Sequence, residues 1–287
     1  MVTVVFIAPI CLLCVLLALL SRRLQTILRA LFARRPVLIF AVAAALAAVF
    51  CATAACVHAL SLPLLLAVFG YMMIPAACIY WTQADFAVIL MLWLPLELGV
   101  GASLVPRYAQ GVLHATAYAI ALLLAVTLFL LVRRWDGMRY HLPRKWTDLR
   151  NVAIGYLVSA ATMIPLGLWI GFLAHPHLAQ VSAGGAFERF VFIFFATAFP
   201  EEILFRSLIQ NWLTRRLRRS WQAVAIAGVI FGAAHLDNGP GALPNWRYMA
   251  EATIAGWIFG AIFLRSSSVL ASTAVHAAVD LTKHLFF

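Results

Sequence analysis

Charge is what this sequence has least of. Only 11% of its 287 residues are Asp, Glu, Lys or Arg, and just ten of those are acidic. A soluble domain carries roughly 25% charged residues, so a water-exposed surface cannot be covered. No stretch is polar enough to form a separate soluble domain. There is no HExxH, no internal repeat and no low-complexity tract. A positively charged leader is missing too: "MVTVVFIAPICLLCVLLALL" precedes its charges, Arg22, Arg23, Arg29, Arg34 and Arg35, the reverse of a cleaved signal peptide. Cysteine is sparse, and all five lie in apolar segments, so no disulfide framework is implied. The CxxC of Cys11 and Cys14 reads as apolar filler in a helix rather than a redox pair.

What remains is long apolar runs. The chain is 65% hydrophobic, with a mean hydropathy of +0.98. The expected fold is all-α, a polytopic transmembrane bundle of about eight to ten spans of ~20 residues. Candidate spans are 2–20, 37–60, 62–82, 86–105, 111–132, 152–174, 187–213, 221–236, 248–265 and 268–286. The net charge of +11 does not indicate nucleic acid, because the basic residues cluster at the ends of apolar segments, where they set orientation. Five lie at 22–35, six at 133–150 and four at 214–219. With ten spans these three segments share one side, the cytoplasmic one, which puts the N-terminus outside. The expected location is a cell membrane, a bacterial inner membrane in particular, with the bilayer and a membrane-anchored peptide or protein substrate as partners.

Residues 1–150 are rich in Leu, Ala and Val and read as scaffold; residues 151–287 carry the chemistry. "TAFPEEILFRS" sets two of the ten acids side by side, Glu201 and Glu202, inside an apolar run. Glu202 and Arg206 are four apart and share a helix face, so they can pair. Phe205 stands four after Glu201, which leaves Glu201 with no ion-pair mate from its own helix. A carboxylate of that kind in low dielectric suits a general base. Pro200 removes a backbone donor just before the acids, and the freed carbonyl needs a cavity or another helix. "FGAAH" ends with His235; "HAAVD" sets His276 and Asp280 four apart, with His284 a further turn on. The turn-rich "LDNGPGALPNWR" at 236–247 suits a shaped loop that gates access, with Asn238 and Trp246 as candidate substrate contacts. Four intramembrane charges, Glu201, Glu202, Arg206 and Asp280, cost roughly 12 kcal/mol before pairing at about 3 kcal/mol each, and function is the simplest reason to keep them.

The ordered segments EExxxR, FxxxH and HxxxN/D on successive late helices resemble the CPBP intramembrane proteases. This is the CAAX protease and bacteriocin-processing family, which includes the type II CAAX prenyl endopeptidase. The resemblance covers about residues 187–287. It implies an intramembrane endopeptidase in which Glu201 activates water and His235 assists it. His276 and Asp280 are the pair thought to stabilise the oxyanion, and Glu202 and Arg206 are supporting charges. Two positions depart from the pattern. Asp280 stands where the CAAX enzymes carry Asn, so it orients His276 or is itself protonated, and Ser207 replaces a frequent glycine. No acyl-enzyme, and so no Ser or Cys nucleophile, is expected. No cofactor or metal is needed on this reading.

Three competing readings stay open on the residues alone. Glu, two His and Asp are zinc-type ligands, which makes a zinc metalloprotease an alternative. Intramembrane acids and histidines also build proton relays, which makes a proton-coupled transporter another. A non-catalytic binding scaffold is the third. On the hydrolase reading, His235 falls about 21 Å from the cytoplasmic start of its helix at 1.5 Å per residue. A site opening outward suits a C-terminal tag or anchor, or an exported peptide, better than a prenylated C-terminus. The "PNWR" loop resembles members of the family that act in sorting-tag systems. Glu97, His58, His114 and His284 read as buried or interfacial contacts.

Overall fold

The computed structural model describes residues 7–97, 111–177, 181–238 and 243–287. Every regular element among them is helical. The chain separates into two compact units, Met1–Asp136 and Gly137–Phe287.

In the first unit, α1 (Ile7–Ala18) is followed after a 94° bend by α2 (Arg22–Arg34). Residues 22–35, expected as a charged loop, are thus mostly helix. Arginines alternate there with Leu24, Leu28, Leu31 and Phe32, an amphipathic pattern that suits a membrane interface. Ser21 accepts from the Leu24 N–H to cap the start, and Gln25 ties the bend by donating to the Leu19 carbonyl at 2.7 Å. Then come α3 (Leu38–Cys56), α4 (Leu62–Trp81), α5 (Asp85–Glu97) and α6 (Gly111–Val132, whose last turns are π-helical). Of the three scaffold groups read as buried or interfacial contacts, Glu97 accepts from Tyr118 at 3.1 Å, His114 is exposed with its ring 4.7 Å from that of Tyr118, and His58 is exposed. Cys11 and Cys14 are free and exposed.

In the second unit, α7 (Trp146–Trp169) leads to a long helical run over residues 183–216, here α8. After it come α9 (Ser220–Ala233), α10 (Trp246–Arg265) and α11 (Val269–Phe286). Among the described residues four helices, α3, α4, α6 and α7, are long and apolar enough by length and composition to cross a membrane, or five if the bent α1–α2 pair counts as one. The eight to ten expected spans also include the apolar runs of α5, α8, α9, α10 and α11, which this length-and-composition measure leaves out. The α9 helix is 14 residues long, α8, α10 and α11 carry the charged residues of the site, and the expected span 86–105 runs beyond Glu97 into residues outside the described ones. The chain remains a polytopic helical membrane protein.

Glycines set the packing that matters for the site. A Cβ on Gly228 would lie 2.2 Å from the Trp257 ring, one on Gly232 would lie 2.0 Å from the Thr253 hydroxyl, and one on Gly256 would lie 2.8 Å from the Gly228 Cα. These three absent side chains let α9 and α10 approach backbone to backbone, as small residues do between membrane helices. Gly155 on α7 does the same toward Ile262 and Val275, 2.8 and 3.0 Å from where its Cβ would be. At the other end, Asp148 at the start of α7 holds the α10–α11 turn. It accepts from the Ser267 N–H at 2.7 Å and from the Ser267 hydroxyl, while Asn151 donates to the Arg265 carbonyl at 3.1 Å. Arg139 donates to the Ser266 carbonyl in the same turn.

Candidate active site

The α8 run does not keep one helical pattern. Phe194–Ala198 is π-helical, Phe199–Glu202 is α-helical and Ile203–Gln210 is π-helical again. Pro200 supplies no N–H, and i→i+5 bonding on either side takes up the slack without a break. Single π turns inside α-helices gather at functional sites, and here they bracket the two glutamates.

Glu202 and Arg206 are fully buried and paired, Nε to Oε2 at 3.2 Å. The Arg206 guanidinium also lies 5.0 Å from the centre of the Phe231 ring. The other Glu202 oxygen, Oε1, accepts from His276 Nδ1 at 3.3 Å. Glu202 therefore bridges the α8 arginine to the α11 histidine. On its other side, His276 Nε2 faces Glu201 Oε2 at 3.8 Å and Asp280 Oδ2 at 3.5 Å. The ion-pair mate that Glu201 lacks within its own helix thus comes from α11. Only an imidazolium can donate from both nitrogens to this ring of carboxylates. Phe259 stacks on the His276 ring at 4.7 Å and Phe231 meets it edge-on at 5.8 Å, which sets its orientation.

Burial separates the acids. Glu202 has no exposure, whereas the side chains of Glu201 and Asp280 are 30% and 32% exposed. Both line a cavity of about 100 Å³, along with His235, His276, Phe231 and Tyr248. His235 follows the end of α9. Its Nδ1 is 2.7 Å from the Phe231 carbonyl, and since a carbonyl can only accept, Nδ1 carries the proton. In the neutral ring Nε2 is then an acceptor, able to take a proton.

The structure thus brings Glu201, His235, His276 and Asp280 to one cavity, with Glu202 and Arg206 directly behind. The other two candidates lie elsewhere. Asn238 bonds within its own turn, accepting at its carbonyl from Asn245 at 3.0 Å, and Trp246 is 63% exposed at the start of α10; neither lines the cavity. Part of the expected gating loop, 239–242, lies outside the described residues. His284 is exposed. Ser207 makes use of its hydroxyl, donating to the Met138 carbonyl at 2.8 Å.

Three cavity residues escaped the sequence reading: Tyr248 and Glu251 on α10, and Lys283 on α11. Glu251 sits in "YMAEATIAGW", and the scarcity of acids that singled out Glu201 applies to it equally. As for zinc, no three His, Cys, Asp or Glu side chains among the described residues gather as a metal-ligand set. The contacts around His276 have the lengths of hydrogen bonds and ion pairs.

A helical membrane unit with paired buried acids, two histidines and a shared cavity has the makings of a hydrolase. Residues 184–282 match the family model described as type II CAAX prenyl endopeptidase Rce1-like, so this segment is a domain of that family and the chain is a membrane peptidase. No curated protein and no solved structure matches the chain.

Proposed function

We propose that the protein is an intramembrane endopeptidase that cleaves a membrane-anchored substrate near a C-terminal tag or anchor, with water activated by Glu201 and His235. The observation that carries this is the contrast between the two adjacent glutamates. Glu202 is buried and held between Arg206 and His276, while Glu201 reaches the cavity that His235 also lines. Glu201 takes the proton from water, with the free Nε2 of His235 assisting. The hydroxide attacks the scissile carbonyl, and His276 donates to the developing oxyanion. Asp280, 3.5 Å from His276 Nε2, orients that donor rather than meeting the oxyanion itself, since an anionic carboxylate has no proton to give. Glu201 then passes its proton to the leaving amine. The water is the nucleophile throughout, so no covalent enzyme intermediate forms.

The test is a comparison of membrane-protein C-termini by mass spectrometry in cells carrying wild-type or Glu201→Gln protein. The expected result is one or more C-termini present only with the wild type. Identical C-termini, with the variant inserted at wild-type level, would reject the assignment.

The basic segments at 22–35, 133–150 and 214–219 each favour the cytoplasmic face by charge. Single cysteines introduced at Arg35 and Arg219, in a background cleared of the native ones, should label only from the cytoplasmic face.

A further inference from the structure

Beyond the proposed catalytic group, the same cavity holds a second set of charged residues. Glu251 is 2% exposed and lines the cavity, and its Oε1 accepts no hydrogen bond among the described residues. Room for that oxygen exists because residue 167 on α7 is glycine; a Cβ there would lie 3.0 Å from it. Close by, the rings of Phe172 and Tyr248 lie 4.9 Å apart. The Lys283 ammonium sits over both, 4.4 Å from the Phe172 centre and 4.6 Å from the Tyr248 centre. The ion pairs of the described residues leave Lys283 out. Two aromatic faces and a buried carboxylate are the components of a cation site. Here the cation on the rings belongs to the protein, at the end of a flexible four-carbon stem.

We propose that Glu251, Phe172 and Tyr248 form a subsite for a basic side chain of the substrate, arginine or lysine, and that Lys283 is its resident occupant, displaced when substrate binds. The inference rests on the endopeptidase reading of the cavity. Charge supports it. Glu201, Asp280 and Glu251 face the cavity against His235, His276 and Lys283, so moving Lys283 out leaves three carboxylates and two imidazoles, a wall that attracts a cation. Lys283 lies in the last turn of α11, where a lysine can extend its stem outward. Arginine is favoured over lysine, because a planar guanidinium stacks on rings and still meets a carboxylate with its edge. Asp280 and Lys283 are about one helical turn apart, roughly 5 Å. At about 3.3 Å per residue of extended chain, the basic residue falls one or two positions from the scissile bond.

The test separates binding from cleavage. One apolar peptide sequence, labelled with a fluorophore, is made with arginine, lysine or norleucine scanned along it. Binding is measured by anisotropy to detergent-solubilised Glu201→Gln protein. The arginine peptide should bind at least about tenfold more tightly than the norleucine peptide at one position, the ratio expected for a desolvated charge contact. Adding Glu251→Gln should bring that ratio to within about twofold, and adding Lys283→Met instead should tighten arginine-peptide binding by about threefold or more. A ratio near one, or a ratio that Glu251→Gln leaves intact, overturns the subsite. If Glu251→Gln fails to elute as folded protein, Lys283→Met decides alone: unchanged or weaker arginine-peptide binding overturns it. Wild-type cleavage of the same peptides tests the underlying reading separately. Charge-selective binding without hydrolysis would remove the peptidase mechanism and keep the subsite; hydrolysis indifferent to charge would do the reverse.

Discussion

At the scale of single residues, the two adjacent glutamates should behave differently when changed. Glu202 lies between Arg206 and His276 with no access to water. Removing its charge leaves a buried guanidinium without its counter-ion, and Glu202→Gln should destabilise the protein by about 3–5 kcal/mol, read as a lowered unfolding midpoint in detergent. Replacing both partners, Glu202→Met with Arg206→Met, should recover much of that stability, because an apolar pair of similar volume carries no stranded charge. Activity should not recover with it, since the carboxylate that accepts from His276 Nδ1 is still gone. For Asp280 the account expects Asp280→Asn to stay within about tenfold of wild-type turnover and Asp280→Leu to fall further, because an amide can still bond the imidazole and an isobutyl group cannot. These residues were legible in the sequence because a charge in an apolar helix is rare and an i,i+4 spacing is visible by eye. Bonds between helices were not. Nothing in the local pattern around Glu201 names His276 as its neighbour, since that contact depends on how α11 packs against α8.

At the scale of elements, the site depends on close approach of helices whose own sequences look unremarkable. Gly232 and Gly256 let α9 and α10 meet, and His235 follows directly from the end of α9. Gly232→Leu should therefore push α9 away from Thr253 and displace His235. The expected result is cleavage lost to background in protein that still inserts, checked by turnover alongside monodispersity in size-exclusion chromatography. Asp148→Ala should free the α10–α11 turn, at a cost of about 2–3 kcal/mol for a lost charged acceptor, read in the same unfolding assay. Helix positions from α3 onward were readable from apolar runs bounded by turn residues. The π-helical stretches of α8 were not, because i→i+5 bonding leaves no periodicity in a run so uniformly apolar. The α2 helix was missed for another reason. Its arginines identified it as a segment outside the bilayer, and the apolar residues between them, which make it an amphipathic helix, received less weight.

At the scale of the whole molecule, the chain is a polytopic membrane protein with an Rce1-like peptidase domain over residues 184–282. Composition alone established the membrane class, because 11% charge cannot clothe a soluble surface. The number of spans was less accessible. Hydropathy windows count every apolar run of suitable length, whereas the helices themselves show which are long enough, and α9 falls short at 14 residues. If water is activated by carboxylate and imidazole, chelators should leave turnover unchanged, which EDTA and 1,10-phenanthroline against a cleavable peptide will check.

The central claim is that one carboxyl group, Glu201, moves the protons of the reaction. It is tested most directly by turnover of Glu201→Gln protein beside wild type, both reconstituted in the same vesicles with a substrate identified from the C-terminal comparison. The account predicts a fall of at least about a hundredfold, the lower range for loss of a general base, with insertion and unfolding midpoint unchanged. Turnover within threefold of wild type would contradict it.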